Sequence, residues 1–227
     1  MSNIFRGADE RHSRPVVGGV LLAAGTGSRM GHRPKGLLEL DGVPLIRRML
    51  MALSGAGLAE VVVVLGEYAD HLRPLVQDFP ARVVCNPSPQ DGQVSSQRLG
   101  LAALSPKLDA VMVTLADQPL IGTQDLSDLI GTYENRPEGK HVVVPTVSGL
   151  PGNPVIFSAQ IKDAVLAGGP HLGCKQWQTA HPEAVYAWVT PNIRYRQDVD
   201  SPEDMAQLAA QTGHQLRWPP AWQSVAP

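Results

Sequence analysis

The chain has 227 residues, 43% of them hydrophobic and 18% charged, with a formal net charge of -2. That balance is ordinary for a globular chain and supplies no basic excess for nucleic acid. No apolar run approaches the ~20 residues of a membrane-spanning helix, so a membrane partner is not expected either.

In chain order, MSNIFRGADERHSRP carries charge with no apolar signal region after it. It reads as a flexible arm over residues 1–15 of a cytoplasmic protein. VVGGVLLAA (16–24) is apolar, short and rich in β-branched or small residues, which predicts a buried strand. Residues 25–34 form a glycine-rich loop. VPLIRRMLMALS (43–54) has helical periodicity and ends at Gly55 and Gly57. EVVVVLG (60–66) predicts a second strand, and Tyr68 to Gln77 a short helix interrupted at Pro74.

ARVVCNP (81–87) predicts a third strand and Ser95 to Leu104 a helix. DAVMVTLAD (109–117) is a fourth strand, followed by a helix from Thr123 to Tyr133 with Thr123 as its N-cap. HVVVPTV (141–147), PVIFS (154–158) and AVYAWVT (184–190) read as extended, with a helix over 159–166. Ser201-Pro202-Glu203-Asp204 has the signature of a helix start, a capping serine followed by proline and acids. Residues 213–227 read as an irregular tail.

Strands that are apolar on both faces and alternate with helices imply a mainly parallel sheet covered on each side. The expected fold is one three-layer, Rossmann-like α/β domain over 16–212. Ligands of such sheets sit beyond the carboxyl ends of the strands. The first loop and Asp117 both fall at that edge.

Four stretches have the chemistry of a site. In VLLAAGTGSRMGHRPKGLL, Gly25, Gly27 and Gly31 permit close backbone approach to an anion, and Arg29 and Lys35 can track a polyphosphate. The stretch matches neither the Walker spacing nor GxGxxG. In TLADQPL, Asp117 ends an apolar strand, where a carboxylate can hold magnesium beside phosphates; a plain turn cap is the bland alternative. In YRQDVDSPED, Asp198 or Asp200 can complete that metal site, or the acids can simply cap the last helix. In NPSPQDGQVSSQRLGL, Ser95 and Ser96 can read a base or a ribose, or merely cap a helix. The two cysteines, Cys85 and Cys174, lie in no CxxC pair and suggest no zinc site. The four tryptophans read as packing residues, and the seven histidines have no ligand spacing.

Taken in order, LLAAGTGSRMGHRPKGLL, NP...GQVSS, LADQPL, GNPVIF and DVDSPED resemble the nucleotidyltransferases of molybdenum-cofactor biosynthesis, over residues 18 to about 210. Within them the chain is most similar to the cytidylyl-transferring MocA group, beside the guanylyl-transferring MobA group. The resemblance implies a glycosyltransferase-A-type fold and a reaction in which a cofactor phosphate attacks the α-phosphorus of an NTP and releases pyrophosphate. It implies that Leu22, Ala23, Ala24, Gly25 and Gly27 hold the nucleotide, with Ser95 and Ser96 at the base or ribose. Arg29 and Lys35 would neutralise phosphates, and Asp117 with Asp198 would hold Mg2+. The implied partners are CTP, a molybdopterin-type acceptor and a molybdoenzyme or its maturation factor.

LAAG and the SS pair point to CTP, whereas KGLLELDG resembles the guanylyl group. The acceptor side departs from the pattern at Asn153, at Gly173-Cys174-Lys175 and at Gln97. Three other readings stay open: transfer to a different phosphorylated small molecule, a non-catalytic cofactor-delivery protein, and an NAD module using Glu67.

Overall fold

The computed structural model describes residues 14–223; the expected arm falls, for residues 1–13, outside them. The chain begins with β1 (Val17–Ala23), a small hairpin of β2 (Glu39–Leu40) and β3 (Val43–Pro44), and α1 (Leu45–Gly55). Then come β4 (Glu60–Leu65), α2 (Ala69–Val76), β5 (Ala81–Cys85), α3 (Gln93–Ala103), β6 (Ala110–Leu115) and α4 (Thr123–Glu134). β7 (Val142–Val147), β8 (Leu150–Pro151), β9 (Val155–Ser158), α5 (Ala159–Ala167), α6 (Cys174–Ala180) and β10 (Val185–Val189) follow. The described chain closes with α7 (Pro202–Thr212), β11 (Leu216–Arg217) and α8 (Pro220–Gln223).

The main sheet runs β10-β7-β9-β6-β1-β4-β5, with β8 hanging on β7. β1 lies between β4 and β6, parallel to both, with Val20 opposite Val62 and Val113. β9 runs antiparallel to β6 and to β7, and β8 antiparallel to β7; the other pairs are parallel. The expected three-layer, mostly parallel architecture is what the chain adopts.

Side chains alternate between two cores, as the two-residue period of a strand requires. In β4, Val63 and Leu65 join the core under α1, α2, α4 and α7, while Val62 and Val64 join the one under α3, α5 and α6. α3 lies close on the sheet because Gly100 lacks a side chain: a Cβ there would sit 2.5 Å from Val20 Cγ1.

Three local expectations are corrected. Gly122, not Thr123, is the N-cap of α4, and the Asp125 carboxylate accepts the Gly122 amide at 2.8 Å. α2 continues through Pro74, since one missing hydrogen bond does not undo a short helix pinned by buried Leu72 and Val76. The tail is not irregular as far as Gln223: β11 pairs antiparallel with β2, Leu216 opposite Leu40. Trp218 is buried and lies under the Arg33 guanidinium, 4.4 Å from its ring centroid. Among the described residues no helix is long and apolar enough to cross a membrane.

Candidate active site

A cavity of about 1030 Å³ opens at the carboxyl edge of β1 and β6. One end is formed by Leu22 to Thr26, Lys35, Ser96, Asp117, Asp198 and Asp200. The loop that follows β1 is shaped by its glycines. Gly27 is left-handed (φ 61°) and a Cβ there would lie 2.0 Å from the Arg33 carbonyl oxygen. Its own carbonyl accepts the Met30 and His32 amides at 2.8 and 3.0 Å. Gly27 therefore builds the loop and does not line the cavity. Gly25 lines the cavity, with open space where its Cβ would be, so the backbone there is bare to a ligand.

The loop returns through a 3-10 turn at 35–37 that delivers Lys35 to the acids. Lys35 Nζ donates to Asp117 Oδ2 and, at 2.5 Å, to Asp200 Oδ1. Arg29 Nη2 pairs with Asp200 Oδ2 at 2.7 Å, from an exposed position at the rim. The segment after β6 and the one before α7 are tied together by the Val199 amide, which donates to the Asp117 carbonyl at 2.9 Å. Asp204 accepts the Asp200 and Ser201 amides at 2.9 and 2.8 Å, and Ser201 caps α7. The capping expectation for Ser201 and Asp204 holds, and the same turn brings Asp200 to Lys35 and Arg29.

Electrostatics follow from burial and pairing. Burial pushes the Asp117 carboxyl up, and the Lys35 ammonium draws it only part of the way back. Burial works against the charge on Lys35, but the Asp117 and Asp200 carboxylates outweigh it and hold its pKa above the ordinary value. Burial also opposes ionisation of Asp200, yet Lys35 and Arg29 together hold its carboxyl below the usual range.

The sequence offered Asp198 or Asp200 as the partner of Asp117 in a metal site, and the structure places the two differently. Among the described residues no group of three or more His, Cys, Asp or Glu is gathered around a metal position. Asp200 has both oxygens committed to cations. Asp117 differs: its Oδ1 is buried without a hydrogen-bond partner, and Asp198 lines the same cavity. Two carboxylates with a free buried oxygen fit Mg2+, which is usually held by one or two carboxylates and completed by substrate phosphates and water.

The adjacent serines separate. Ser96 is buried, lines the cavity and accepts from Asn86 Nδ2 at 2.9 Å. Ser95 does not line it; its hydroxyl accepts from the same amide at 2.8 Å and donates to the Gly92 carbonyl at 2.8 Å. Buried Asn86, which fixes both hydroxyls, was not singled out by the sequence.

The far end of the cavity is apolar along Val113, Val144, Phe157, Val185 and Ala187, and polar at Asn153, Lys175, Gln178 and Thr179. Buried Gln118, also missed, holds the Asn153 carbonyl through its amide at 3.0 Å. A Cβ on Gly152 would lie 2.5 Å from the Tyr195 carbonyl, so this loop packs directly on the segment leading to Asp198. Cys174 is a neutral thiol, its pKa pushed up to about 12 by burial.

The family model described as the MobA-like NTP transferase domain matches residues 19–185. The chain belongs to that family. As a MobA-like protein it is an enzyme of the nucleotidyltransferase type. It is 30% identical over 200 residues to nicotine blue oxidoreductase of Paenarthrobacter nicotinovorans, covering 86% of this chain and 97% of that protein. Its fold is that of Rv0371c from Mycobacterium tuberculosis H37Rv, with TM-score 0.71 and 22% identity over 86% of this chain and 98% of that one. A nucleotidyl transferase from Methanothermobacter thermautotroptrophicus is similar too, with TM-score 0.68 and 24% identity over 86% of this chain and 97% of that one.

Proposed function

We propose that this MobA-like enzyme transfers CMP from CTP to a molybdopterin-type cofactor and releases pyrophosphate. The observation that carries the reading is the meeting of Lys35 with Asp117, whose second oxygen is free, inside a cavity large enough for a nucleotide and an acceptor. A phosphate oxygen of the acceptor would form a bond to the α-phosphorus as the bond from that phosphorus to the bridging oxygen breaks. The electron pair leaves with pyrophosphate. Such a transfer needs alignment and charge neutralisation rather than a protein nucleophile. The bare backbone at Gly25 would receive the phosphates, and Lys35 and Arg29 would neutralise the charge that grows on the leaving pyrophosphate. Mg2+ bound to Asp117 and Asp198 would supply further charge neutralisation.

Cytosine is favoured by LAAG, in which Ala24 lines the cavity where the guanylyl group usually has glycine, so that its methyl would narrow the base pocket against a purine. Ala24 packs against Gly66, where a Cβ would lie 2.6 Å from the Ala24 carbonyl oxygen. The guanylyl-like stretch KGLLELDG argues little against it. Leu37, Leu38 and Leu40 are core residues, so the likeness reflects packing.

The acceptor carries a second reading: transfer to another phosphorylated small molecule with an apolar body. Asn153, Cys174 and Lys175, which depart from the molybdenum-cofactor pattern, all face the cavity. A dinucleotide-dependent reading, suggested by the oxidoreductase relative, looks to Glu67 for a ribose, and Glu67 is exposed and outside the cavity lining.

The deciding experiment measures pyrophosphate release with Mg2+, purified molybdopterin and each of the four NTPs. Release with CTP alone supports the proposal. Release with GTP keeps the reaction and replaces the base. Release with no NTP rejects molybdopterin as the acceptor.

A further inference from the structure

A second cavity, of about 600 Å³, lies at the opposite end of the sheet from the candidate active site. It opens at the amino edge, where Arg14 and Pro15 precede β1, Asp109 precedes β6, His141 precedes β7 and antiparallel β9 ends at Ser158. Ser158 is 8% exposed, and its Oγ is buried without a hydrogen-bond partner. It stands at the N-cap of α5, where a serine ordinarily caps the first turn, yet it makes no cap hydrogen bond. The Ala159 amide is taken by the Asp109 carbonyl at 3.0 Å. Among the described residues the Gln160 amide, next along α5, has no acceptor. An unused hydroxyl and an unused amide therefore belong to one wall of the cavity.

The remaining charges of the lining are spoken for. Arg14 faces Glu134 at 3.7 Å, and Asp109 Oδ2 accepts the Val16 amide at 2.8 Å. Arg136 lies 3.7 Å over the Tyr133 ring and donates to the Tyr133 and Lys140 carbonyls at 2.6 and 2.7 Å, which covers the negative end of α4. Two arginines and two acids cancel formally. The sign of the field is then set by the start of α5, where free amides carry partial positive charge.

We propose that this cavity is a second ligand site, taking a small organic oxyanion whose carboxylate or phosphate accepts from the Ser158 hydroxyl and the Gln160 amide. Its apolar body would lie on Pro15 and Leu108, which line the same cavity. The volume falls within the ~300–1,000 Å³ of small-molecule sites. The site does not depend on which substrates are turned over at the other edge of the sheet.

The test titrates inorganic phosphate and acetate separately into the isotopically labelled full chain and follows backbone amides by NMR. The Gln160 amide is expected to shift saturably with at least one ion, with a Kd of about 10 mM or tighter. The ion that binds more tightly identifies the headgroup, and the Gly25 amide reports any binding at the catalytic end separately. Ser158→Ala is expected to weaken the Gln160 response at least fivefold. It should keep the wild-type melting temperature in the absence of ion, because a hydroxyl without a partner adds nothing to the fold. A Gln160 amide that moves with neither ion overturns the proposal. A response that Ser158→Ala leaves intact also overturns it, since that is an adventitious ion only, resting on the helix start.

Discussion

Gln97 Oε1 accepts a hydrogen bond from the Cys174 backbone amide at 3.2 Å. Gln97 lies on α3, one residue after Ser96, and Cys174 begins α6, which lines the end of the cavity proposed for the acceptor. The neighbouring Arg98 reinforces the joint, donating to the carbonyls of Leu166, Gly168 and Leu172 at 3.0 to 3.2 Å. Two departures from the molybdenum-cofactor pattern, Gln97 and Gly173-Cys174-Lys175, are therefore one structural feature. A Cβ on Gly173 would lie 2.9 Å from Gln97 Oε1, so the glycine admits the glutamine.

Gln97→Leu leaves the Cys174 amide without that acceptor, a loss of about 1–3 kcal/mol at a buried group. The expected outcome is a KM for the acceptor raised about tenfold, with the KM for the NTP within about twofold. Steady-state kinetics with each substrate varied in turn will show it. Equal changes in both would place Gln97 at the nucleotide end.

Removing Lys35 should be felt in stability as well as in turnover. Lys35→Met leaves Asp117 and Asp200 facing each other without their shared cation. Breaking a fully buried pair costs about 3–5 kcal/mol, and partial exposure lowers this to about 2 kcal/mol. Denaturant unfolding at neutral pH measures the difference. Lys35→Met and Asp117→Ala should each nearly abolish transfer.

The same contacts set a pH dependence. Lys35 titrates above its ordinary value in the folded chain, so its pairing stabilises fully below the unfolded lysine pKa, about 10.4, and is lost as pH rises through the folded value. Asp200 titrates below its ordinary value, so its contribution is present above the unfolded pKa of about 3.9 and is lost as pH falls through the lowered one. Asp117 has the opposite sense: its raised pKa means that ionisation costs stability as pH rises above the unfolded value. The penalty of Lys35→Met should therefore shrink as the pH is lowered and Asp117 takes up a proton. Melting curves of both proteins from about pH 3 to about pH 11, which brackets the ordinary carboxylate and lysine values, will show whether the gap closes at the acid end.

The long strands were legible because Val-rich runs buried on both faces read the same in sequence and in space. β2, β3 and β11 were not, since two residues carry no period and the partner of Leu216 is Leu40, far earlier in the chain. α6 was missed because CKQWQTA buries only Cys174 and Trp177 among its seven residues. In the site, Lys35, Asp117 and Asp200 were named from spacing and do meet. Ser95 was not separable from Ser96, because neighbours on a helix point about 100° apart and sequence does not say which faces a cavity. The pairing of Asp200 with cations was hidden for a related reason: composition gives the acids, and only the fold gives their partners.

The tail offers a test of how the loop is supported. Trp218 is buried beneath Arg33, and the Arg33 Nη1 also donates to the Trp222 carbonyl at 3.3 Å. Arg33 lies two residues before Lys35. Trp218→Ala is expected to cost about 3 kcal/mol, as large-to-small core changes do, and to raise the KM for the NTP. Unchanged nucleotide kinetics in a destabilised variant would show that the tail supports the fold without setting the loop.

Gly25 and Gly27 are two residues apart and should fail in different ways. Alanine at Gly27 meets the Arg33 carbonyl and a left-handed backbone, so the loop must rebuild. Its cost should exceed the roughly 1 kcal/mol of a left-handed alanine alone, and it should appear as a lower melting temperature. Alanine at Gly25 meets nothing within 4 Å, so stability should be unchanged. Its methyl would stand instead where the phosphates need the bare backbone. Gly25→Ala should therefore keep the wild-type melting curve and weaken NTP binding about tenfold or more, read by isothermal titration with CTP and Mg2+. Full binding in Gly25→Ala would remove the β1 loop from the nucleotide site and leave Lys35 and Asp117 to be explained by another ligand.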